Sequence, residues 1–295
     1  MDRFQAMATF TRVVDSGSFT AAARQLNVGQ PAVSKLIAQL EDRLGVRLLT
    51  RTTRGLAPTE AGQHYYERAR RALEEADEAE LAARGAGRGL SGRLRISAAT
   101  TFARLHVIPR LPAFLAAHAE LELEVILDDR VIDMIEENID LSLRMGALSD
   151  STATARKLAE GRRSVVATPA YLERAGAPRT PAELAGHEAI VYTRFDTPSW
   201  TFRHVSGSEA SVRVGGRVRV SAAEGLRAAV LADMGLAVAS DWMFTPELAS
   251  GAVVRLLDDW HLPPLDLWAL FPPGRLPTAK ARAFAAFMVG AMKAG

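Results

Sequence analysis

The chain has 295 residues, 48% of them apolar, too many for one ordinary domain and enough for about two, each with its own core. It contains no cysteine, which excludes disulfides, thiolate metal sites and cysteine nucleophiles, and its six histidines are scattered. The net charge of +2 is unevenly placed: residues 1–60 carry eight Lys or Arg against five Asp or Glu, and the rest carries 28 against 29.

The N-terminal Met-Asp-Arg-Phe-Gln-Ala-Met lacks the basic start and apolar run of a secretion signal. No stretch approaches the ~18 continuous apolar residues of a membrane span. The expectation is a soluble, cytoplasmic protein with no membrane partner. Phe4, Met7, Phe10 and Val14 share one helical face, predicting a first helix over residues 4–14 that Gly17 ends. Ser18 is placed to cap a second helix, whose stripe is Phe19, Ala22, Ala23 and Leu26. After a three-residue break containing Gly29, a third stripe follows at Val33, Ile37, Leu40 and Leu44. Two short helices joined by a tight turn with Gly form a helix-turn-helix pattern, which implies binding to double-stranded DNA.

Packing of that stripe leaves Gln30, Pro31, Ser34, Lys35 and Ala38 facing outward. Their chemistry suits a major groove. Gln bonds an adenine edge in bidentate fashion, Ser bonds several base edges, and Lys reaches guanine or phosphate. Pro31 costs nothing in a helix's first turn and offers an apolar face to a thymine methyl. A solvated polar face is the plain alternative for these residues taken alone. Residues 46–59 read as two short strands around Arg51-Thr52-Thr53-Arg54-Gly55, a wing whose Arg51 and Arg54 suit phosphate or minor-groove contact. Alternatively, either arginine pairs with Glu41 or Asp42.

Four runs carry a resemblance: Gly-Ser-Phe-Thr-Ala-Ala-Ala-Arg-Gln-Leu-Asn-Val, Gln-Pro-Ala-Val-Ser, Leu-Glu-Asp-Arg-Leu-Gly-Val-Arg-Leu-Leu-Thr-Arg and Leu-Ala-Pro-Thr-Glu-Ala-Gly. Together, from Phe4 to Gly62, they resemble the DNA-binding region of the LysR-type transcriptional regulators. One departure is Gly29, where that family usually has Ser; Gly caps a helix without a side-chain acceptor or a hydroxyl for phosphate, so weaker or less well-oriented DNA binding is expected.

From Thr59 an Ala- and Glu-rich helix is predicted to about Arg84. Tyr65, Ala69, Ala72, Ala76, Ala79 and Ala83 recur at alternating spacings of four and three, a heptad seam through which two helices can approach closely. An isolated exposed helix is the alternative. The resemblance implies a dimerising linker helix here, hence a homodimer and, by pairing of dimers, a homotetramer. Gly85-Ala-Gly-Arg-Gly-Leu-Ser-Gly92 then reads as a hinge.

Beyond the hinge, β-like runs at residues 94–98, 123–127, 141–143, 164–167, 189–192, 236–239 and 267–270 alternate with helical patterns at 105–117, 131–137, 224–233 and 279–292. Such alternation predicts an α/β domain with mainly parallel sheets. Ile-Pro-Arg-Leu-Pro-Ala-Phe-Leu, Asp-Leu-Ser-Leu-Arg-Met-Gly and Gly-Leu-Arg-Ala-Ala-Val-Leu-Ala-Asp-Met-Gly-Leu-Ala-Val are similar to the LysR-type effector domain, which is built like a periplasmic binding protein. The fold class expected is thus α/β with an all-α-type winged helix-turn-helix head, a long linker helix and a two-lobed periplasmic-binding-protein-like effector domain. The expected boundaries are 1–59 for the head, 60–92 for linker and hinge, and 93–295 for the effector domain. Within the last, one lobe takes about 93–160 and 265–295 and the other 161–264, with crossings near Glu160 and Pro264.

The loop Thr100-Thr101-Phe102 follows the first strand of that domain and offers hydroxyls and free N–H groups to an anion. The resemblance implies that it lines a cleft for a small-molecule effector, opposite Phe195, Trp200 and Glu224. Each has a plainer role open to it, as a cap or as lobe core. If Glu224 lines the cleft, it repels a carboxylate and favours a neutral or cationic ligand. No hydrolase elbow, zinc-protease motif or phosphate loop occurs, and the four lysines offer little for a Schiff base, so no enzyme, cofactor or metal site is expected. A solute-binding protein would match the second domain but not the head. The expected function is a LysR-type regulator responding to an effector between the lobes; the alternative is a cytoplasmic small-molecule-binding protein with a vestigial DNA-binding role.

Overall fold

A computed structural model describes residues 2–52, 55–84, 90–148, 154–193, 199–274 and 276–293. It divides into two compact units, residues 1–88 and 89–295.

The first unit opens with α1 (Arg3–Ser16), capped by the Asp2 carboxylate and ended by Gly17 in the left-handed region at φ 60°. The Ser18 hydroxyl accepts the Ala21 N–H and starts α2 (Phe19–Gln25); α3 (Gln30–Leu44) follows. Ala6, Phe10 and Val13 of α1 meet Ala22, Ala23, Val33, Ile37, Leu40 and Leu48 in one core. The stripes expected from sequence therefore slip at the helix ends. Phe4 is 53% exposed and Leu44 38%, while Ala6 and Leu48 are buried. Phe4 lies in the first turn of α1, outside the reach of α2 and α3, and the chain turns at Gly45 so that Leu48 fills the place expected for Leu44. Strands β1 (Leu49–Thr52) and β2 (Gly55–Pro58) pair antiparallel, Leu49 opposite Pro58.

Helix α4 (Glu60–Arg84) is locked to the start of the hairpin. The Thr59 hydroxyl donates to the Arg47 carbonyl (2.8 Å) and accepts from the Gly62 N–H (2.9 Å). A Cβ at position 62 would stand 1.9 Å from the Leu48 carbonyl oxygen, so only glycine fits there. Tyr65 packs edge-on against Phe10, Tyr66 donates to the Asp15 carboxylate, and Ala69 is fully covered. Two of the six predicted seam positions, Tyr65 and Ala69, are thus used inside the chain. Ala72 and Ala76 are half-buried, Ala79 is exposed, and the Ala83 side chain lies outside the described residues, as do residues 85–89 of the predicted hinge.

In the second unit, β3 (Ser91–Ala98) leads into α5 (Thr100–Phe102), a π turn (Ala103–Val107), a 3-10 turn (Ile108–Arg110) and α6 (Leu111–Ala117). The irregularity has a local cause: Pro109 has no N–H to return to Leu105 and its ring crowds that carbonyl. β4 (Glu120–Leu127), β5 (Leu141–Met145) and β6 (Thr154–Gly161) complete the first pass. The chain then enters a second lobe through β7 (Arg163–Ala167), α7 (Pro169–Ala175), β8 (Val191–Tyr192), β9 (Ser199–His204), β10 (Glu209–Arg213), β11 (Arg219–Val220), α8 (Ala223–Leu231), β12 (Ala237–Ser240), α9 (Thr245–Ser250), β13 (Val254–Leu256) and β14 (Trp260–His261). It returns as β15 (Leu265–Phe271) and ends in α10 (Ala279–Lys293).

The first lobe holds a five-stranded sheet in the order β4-β3-β5-β15-β6. β3 runs parallel to β4 and β5, whereas β15 is antiparallel to both its neighbours, because it re-enters from the second lobe. In the second lobe β7 pairs antiparallel with β12 and β13, β9 antiparallel with β10 and β14, and β8 parallel with β11. The sheets are mixed, which corrects the expectation of mainly parallel ones. Residues 131–137 are a turn rather than a helix: Asp133 accepts the N–H groups of Ile135 (2.7 Å) and Glu136 (3.0 Å), and Asn138 stands at φ 54°. Phe102, Phe114, Phe284 and Met288 pack on the first lobe's sheet; Tyr171, Leu184, Phe202 and Leu236 centre one of the second lobe's clusters.

Candidate functional site

On α3 the apolar stripe faces inward, and Gln30, Pro31, Lys35 and Ala38 are exposed with Ser34 half-buried beside them. Gln30 Nε2 donates to Ser34 Oγ at 3.0 Å, one helical turn away. The pair orders two side chains on the open face while leaving the Gln30 carbonyl and one of its N–H groups unused by this bond. Gly29 stands at the N-cap with no side-chain bond to the helix.

Glu41, on the opposite side of α3, ties the hairpin to the helix. Its Oε1 accepts the N–H groups of Leu48 (2.7 Å) and Leu49 (3.1 Å), and Oε2 accepts Arg47 Nη1 (2.8 Å). Burial pushes this carboxyl up, but the two backbone N–H groups and Arg47 outweigh it and hold it below the ordinary value. Both oxygens of Glu41 are thus engaged by residues other than those proposed from the sequence. Arg51 lies opposite Leu56 in the hairpin, with its side chain outside the described residues, and Arg54 lies outside them altogether.

In the second unit a cavity of about 290 Å³ lies between the lobes. Phe102, Leu226, Val238 and Trp242 give it apolar walls; Thr101, Asp129, Arg144 and Arg163 bring polar groups. The edge formed by α5 and α8 is closed by a set of interlobe bonds. Asp129 Oδ1 accepts the Thr100 N–H (2.9 Å) and Oδ2 the Ala223 N–H (3.0 Å), so one carboxylate satisfies a starting donor of each helix. Thr101 Oγ1 donates to Glu224 Oε2 (2.8 Å), and Arg104 Nη2 to Glu224 Oε1 (3.0 Å). Phe102 packs on Trp242, and His106 Nε2 lies 2.7 Å from the Trp242 carbonyl. That acceptor requires the Nε2–H form, and burial pushes the His106 pKa down, keeping the ring neutral at neutral pH.

Thr101 and Phe102 therefore line the cavity, and Thr100 contributes its backbone to the Asp129 bridge. Glu224 stands at the closed edge between Arg104, Arg227 (3.8 Å) and Thr101. Burial raises its pKa, yet these donors and cations outweigh burial and hold it below the ordinary value. Glu224 is not among the described residues lining the cavity and its charge is matched in this way, so the condition attached to the expectation of a neutral or cationic ligand is not met. Trp200 is also displaced from the expected place. Alternation along β9 puts it on the inner face with Phe202, packed against the second lobe's core and absent from the cavity wall. Phe195 lies outside the described residues.

Residues 4–63 match the model of the lysR-family bacterial regulatory helix-turn-helix proteins, and residues 87–293 that of the LysR substrate binding domain. The chain belongs to the LysR-type transcriptional regulators. This LysR-type regulator is 36% identical over 278 residues to PtxR of Pseudomonas aeruginosa, covering 93% of this chain and 88% of the relative. Among solved structures, CrgA of Neisseria meningitidis is 32% identical, covers 97% of each chain and superposes with a TM-score of 0.60. The full-length Vibrio cholerae virulence activator AphB is 28% identical, covers 98% of this chain and 99% of its own, and gives 0.58.

Sequence reasoning passed over the three charged groups on the described wall of this regulator's cavity: Asp129, Arg144 and Arg163. A faint signal existed for two of them. Arg144 and Arg163 each adjoin an apolar β-run, Leu-Ser-Leu-Arg and Arg-Ser-Val-Val-Ala, where a charged residue calls for a partner. Asp129 gave none, since its bond to Ala223 spans 94 positions of chain.

Proposed function

We propose that this regulator binds an imperfect inverted repeat near its target promoter as a homodimer, joined through the Ala72 to Ala83 side of α4, and that dimers associate into a homotetramer. Gln30, Pro31, Ser34 and Lys35 read base edges in the major groove, and Arg51 and Arg54 hold phosphate or the minor groove. A small-molecule effector enters the cavity between the lobes, changes their relative orientation and so alters the spacing and bend of the DNA. It acts by binding, not by catalysis, and in the cytoplasm. No helix among the described residues is long and apolar enough to cross a membrane, in keeping with that location.

The observation that carries the reading is the open face of α3, where the Gln30–Ser34 bond pre-orders two base-reading side chains. Footprinting of the full chain on the DNA upstream of its own gene, with a salt titration, tests it. Gln30→Ala is expected to relax specificity at one base pair at a cost of ~1 to 3 kcal/mol. Arg54→Ala is expected to lower the salt slope by about one phosphate contact. Equal losses on specific and random DNA for Gln30→Ala, or an unchanged slope for Arg54→Ala, would remove that residue from the interface. Gly29, which gives α3 no side-chain cap, is the one feature favouring a vestigial DNA-binding role, and absence of any footprint would establish it.

A further inference from the structure

The polar groups on the described wall of the interlobe cavity are already at work inside the protein. Thr101 Oγ1 donates to Glu224 (2.8 Å), and the Ser240 hydroxyl accepts the Trp242 N–H (3.3 Å). Asp129 gives one oxygen to the Thr100 N–H and the other to that of Ala223. Arg144 acts on the Asp128 carboxyl, which Arg130 chiefly, and Arg144 after it, hold below the ordinary value. Arg163 and Tyr192 are likewise engaged within the protein.

The wall is otherwise apolar, and both lobes contribute to it. Phe102, Met145 and Leu148 come from the first lobe, Leu226, Val238 and Met243 from the second. A charged ligand entering here sheds its water, and only a group of opposite sign that is open to it offsets that loss. Asp128 and Asp129 oppose an anion. Arg144 and Arg163 oppose a cation, Arg163 the more so because burial already pushes its pKa down. Every charged group on the described wall serves a partner in the chain, so a ligand of either sign would have to compete for it. An uncharged hydrocarbon body leaves those pairings intact and gains by covering apolar surface on both sides. At about 30 Å³ per water, the volume of about 290 Å³ corresponds to a ligand of roughly ten non-hydrogen atoms.

We propose that the cavity takes an uncharged, largely hydrocarbon molecule of that size, held between the apolar walls of the two lobes and not by an ion pair. This rests on the reading of the cavity as the effector site and names the chemistry of the effector. Because the walls belong to different lobes, such a ligand favours the lobe arrangement in which both touch it, which gives it the differential affinity that a switch requires.

The test uses two matched series on the full chain: methyl benzoate, phenylacetate and phenethylamine, and methyl hexanoate, heptanoate and heptylamine. Each ester is an isomer of its acid, so charge changes while size does not. Thermal unfolding midpoints and titration calorimetry are read at equal concentrations. In at least one series the ester is expected to bind at least tenfold more tightly than its acid and amine, and added salt should not weaken it, since no ion pair is there to be screened. Leu148→Trp adds bulk at the cavity rim, where Leu148 is 37% exposed, and Met243→Ala removes apolar surface from the other lobe. Each is expected to weaken ester binding at least fivefold. Should either variant fail to fold, the other still decides, since they lie in different lobes. An acid or amine that binds as well as the ester, or ester binding that salt weakens, overturns the uncharged class while leaving the cavity as a ligand site. Ester binding unchanged in both variants overturns the placement between the walls. No binding by any of the six compounds overturns the ligand class, whereas the promoter footprint with and without ester judges the effector reading separately.

Discussion

Glu41→Ala is expected to cost the DNA-binding head about 3 to 6 kcal/mol. The Glu41 side chain is 7% exposed, and its Oε1 accepts two backbone N–H groups, from Leu48 and Leu49. A hydrogen bond to a charged group contributes about 1.5 to 3 kcal/mol, and Leu48, itself 1% exposed, has little water to turn to when the acceptor is removed. The ion pair with Arg47 adds little, since that guanidinium is 82% exposed. Urea unfolding of the head in the full chain reads the change as a lower midpoint with an unaltered slope. Glu41→Gln keeps a neutral acceptor and should cost roughly half as much. The pH dependence has a definite sign. The folded carboxyl is held below its ordinary 4.5, so its contribution is fully present above that value and is lost as pH falls through the lower, folded value. The gap between wild type and Glu41→Gln should therefore close only in acid. A gap below about 0.5 kcal/mol at pH 7, or one that closes as pH rises, would refute the reasoning.

Gly62→Ala should destabilise the head by about 3 kcal/mol or more, because the new Cβ would stand 1.9 Å from the Leu48 carbonyl oxygen and only a backbone shift relieves it. Gly45→Ala is the control: it has open space but a φ of 68°, so a loss of only about 1 kcal/mol is expected in the same denaturation experiment. Asp129→Ala strips the acceptor from the N–H groups of Thr100 and Ala223 and should lower the unfolding midpoint of the effector unit in calorimetry by several degrees, with Asp129→Asn intermediate because its single carbonyl replaces one bond of the two. An Asp129→Ala midpoint equal to wild type would show that water replaces both bonds.

What the sequence disclosed depended on how local the determining contact is. Ser18, Gly17 and Thr59 act within a few positions of themselves, so their caps could be read directly. Interior positions of helical stripes were equally legible: Phe10, Val33, Ile37 and Leu40 are all buried. The ends of stripes were not, because whether Phe4 or Leu44 is covered depends on how far the neighbouring helices extend. Trp200 shows the same limit in a strand. Its aromatic character suits a ligand wall and a lobe core equally well, and only its pairing on β9 beside Phe202 decides for the core. Glu224 needed the most remote information: Thr101 and Arg104 stand 123 and 120 positions away and cancel the charge effect that the carboxylate alone would have.

The interlobe bonds at the α5 and α8 edge bear on how large an effector's influence must be. Asp129 with Ala223, Thr101 with Glu224 and His106 with the Trp242 carbonyl all join residues of different lobes, and the two that involve a carboxylate are charge-assisted. At about 1.5 to 3 kcal/mol for each of those and about 0.5 to 1.5 for the third, parting these three bonds would cost on the order of 4 to 8 kcal/mol. Moving a two-state equilibrium from 1:99 to 99:1 takes about 5.5 kcal/mol of differential binding. At a ceiling of about 1.5 kcal/mol per non-hydrogen atom, a ligand of roughly ten such atoms, on the scale of a cavity of about 290 Å³, gains at most about 15 kcal/mol, and opening this edge would consume about a quarter to a half of it. The economical motion leaves the edge intact and pivots the lobes about it. Trp242 is placed for such a pivot: its ring lies on Gly161, where β6 hands the chain to β7, and a Cβ there would meet the indole at 2.7 Å. Rotation about that contact would change the width of the cavity between the lobes while the bonds of Asp129, Thr101 and His106 persist. Gly161→Ala, which pushes on the indole, should then alter the ligand-induced change in DNA footprint more than it alters DNA affinity without ligand; an equal effect on both would show that the contact is a packing feature and not the pivot.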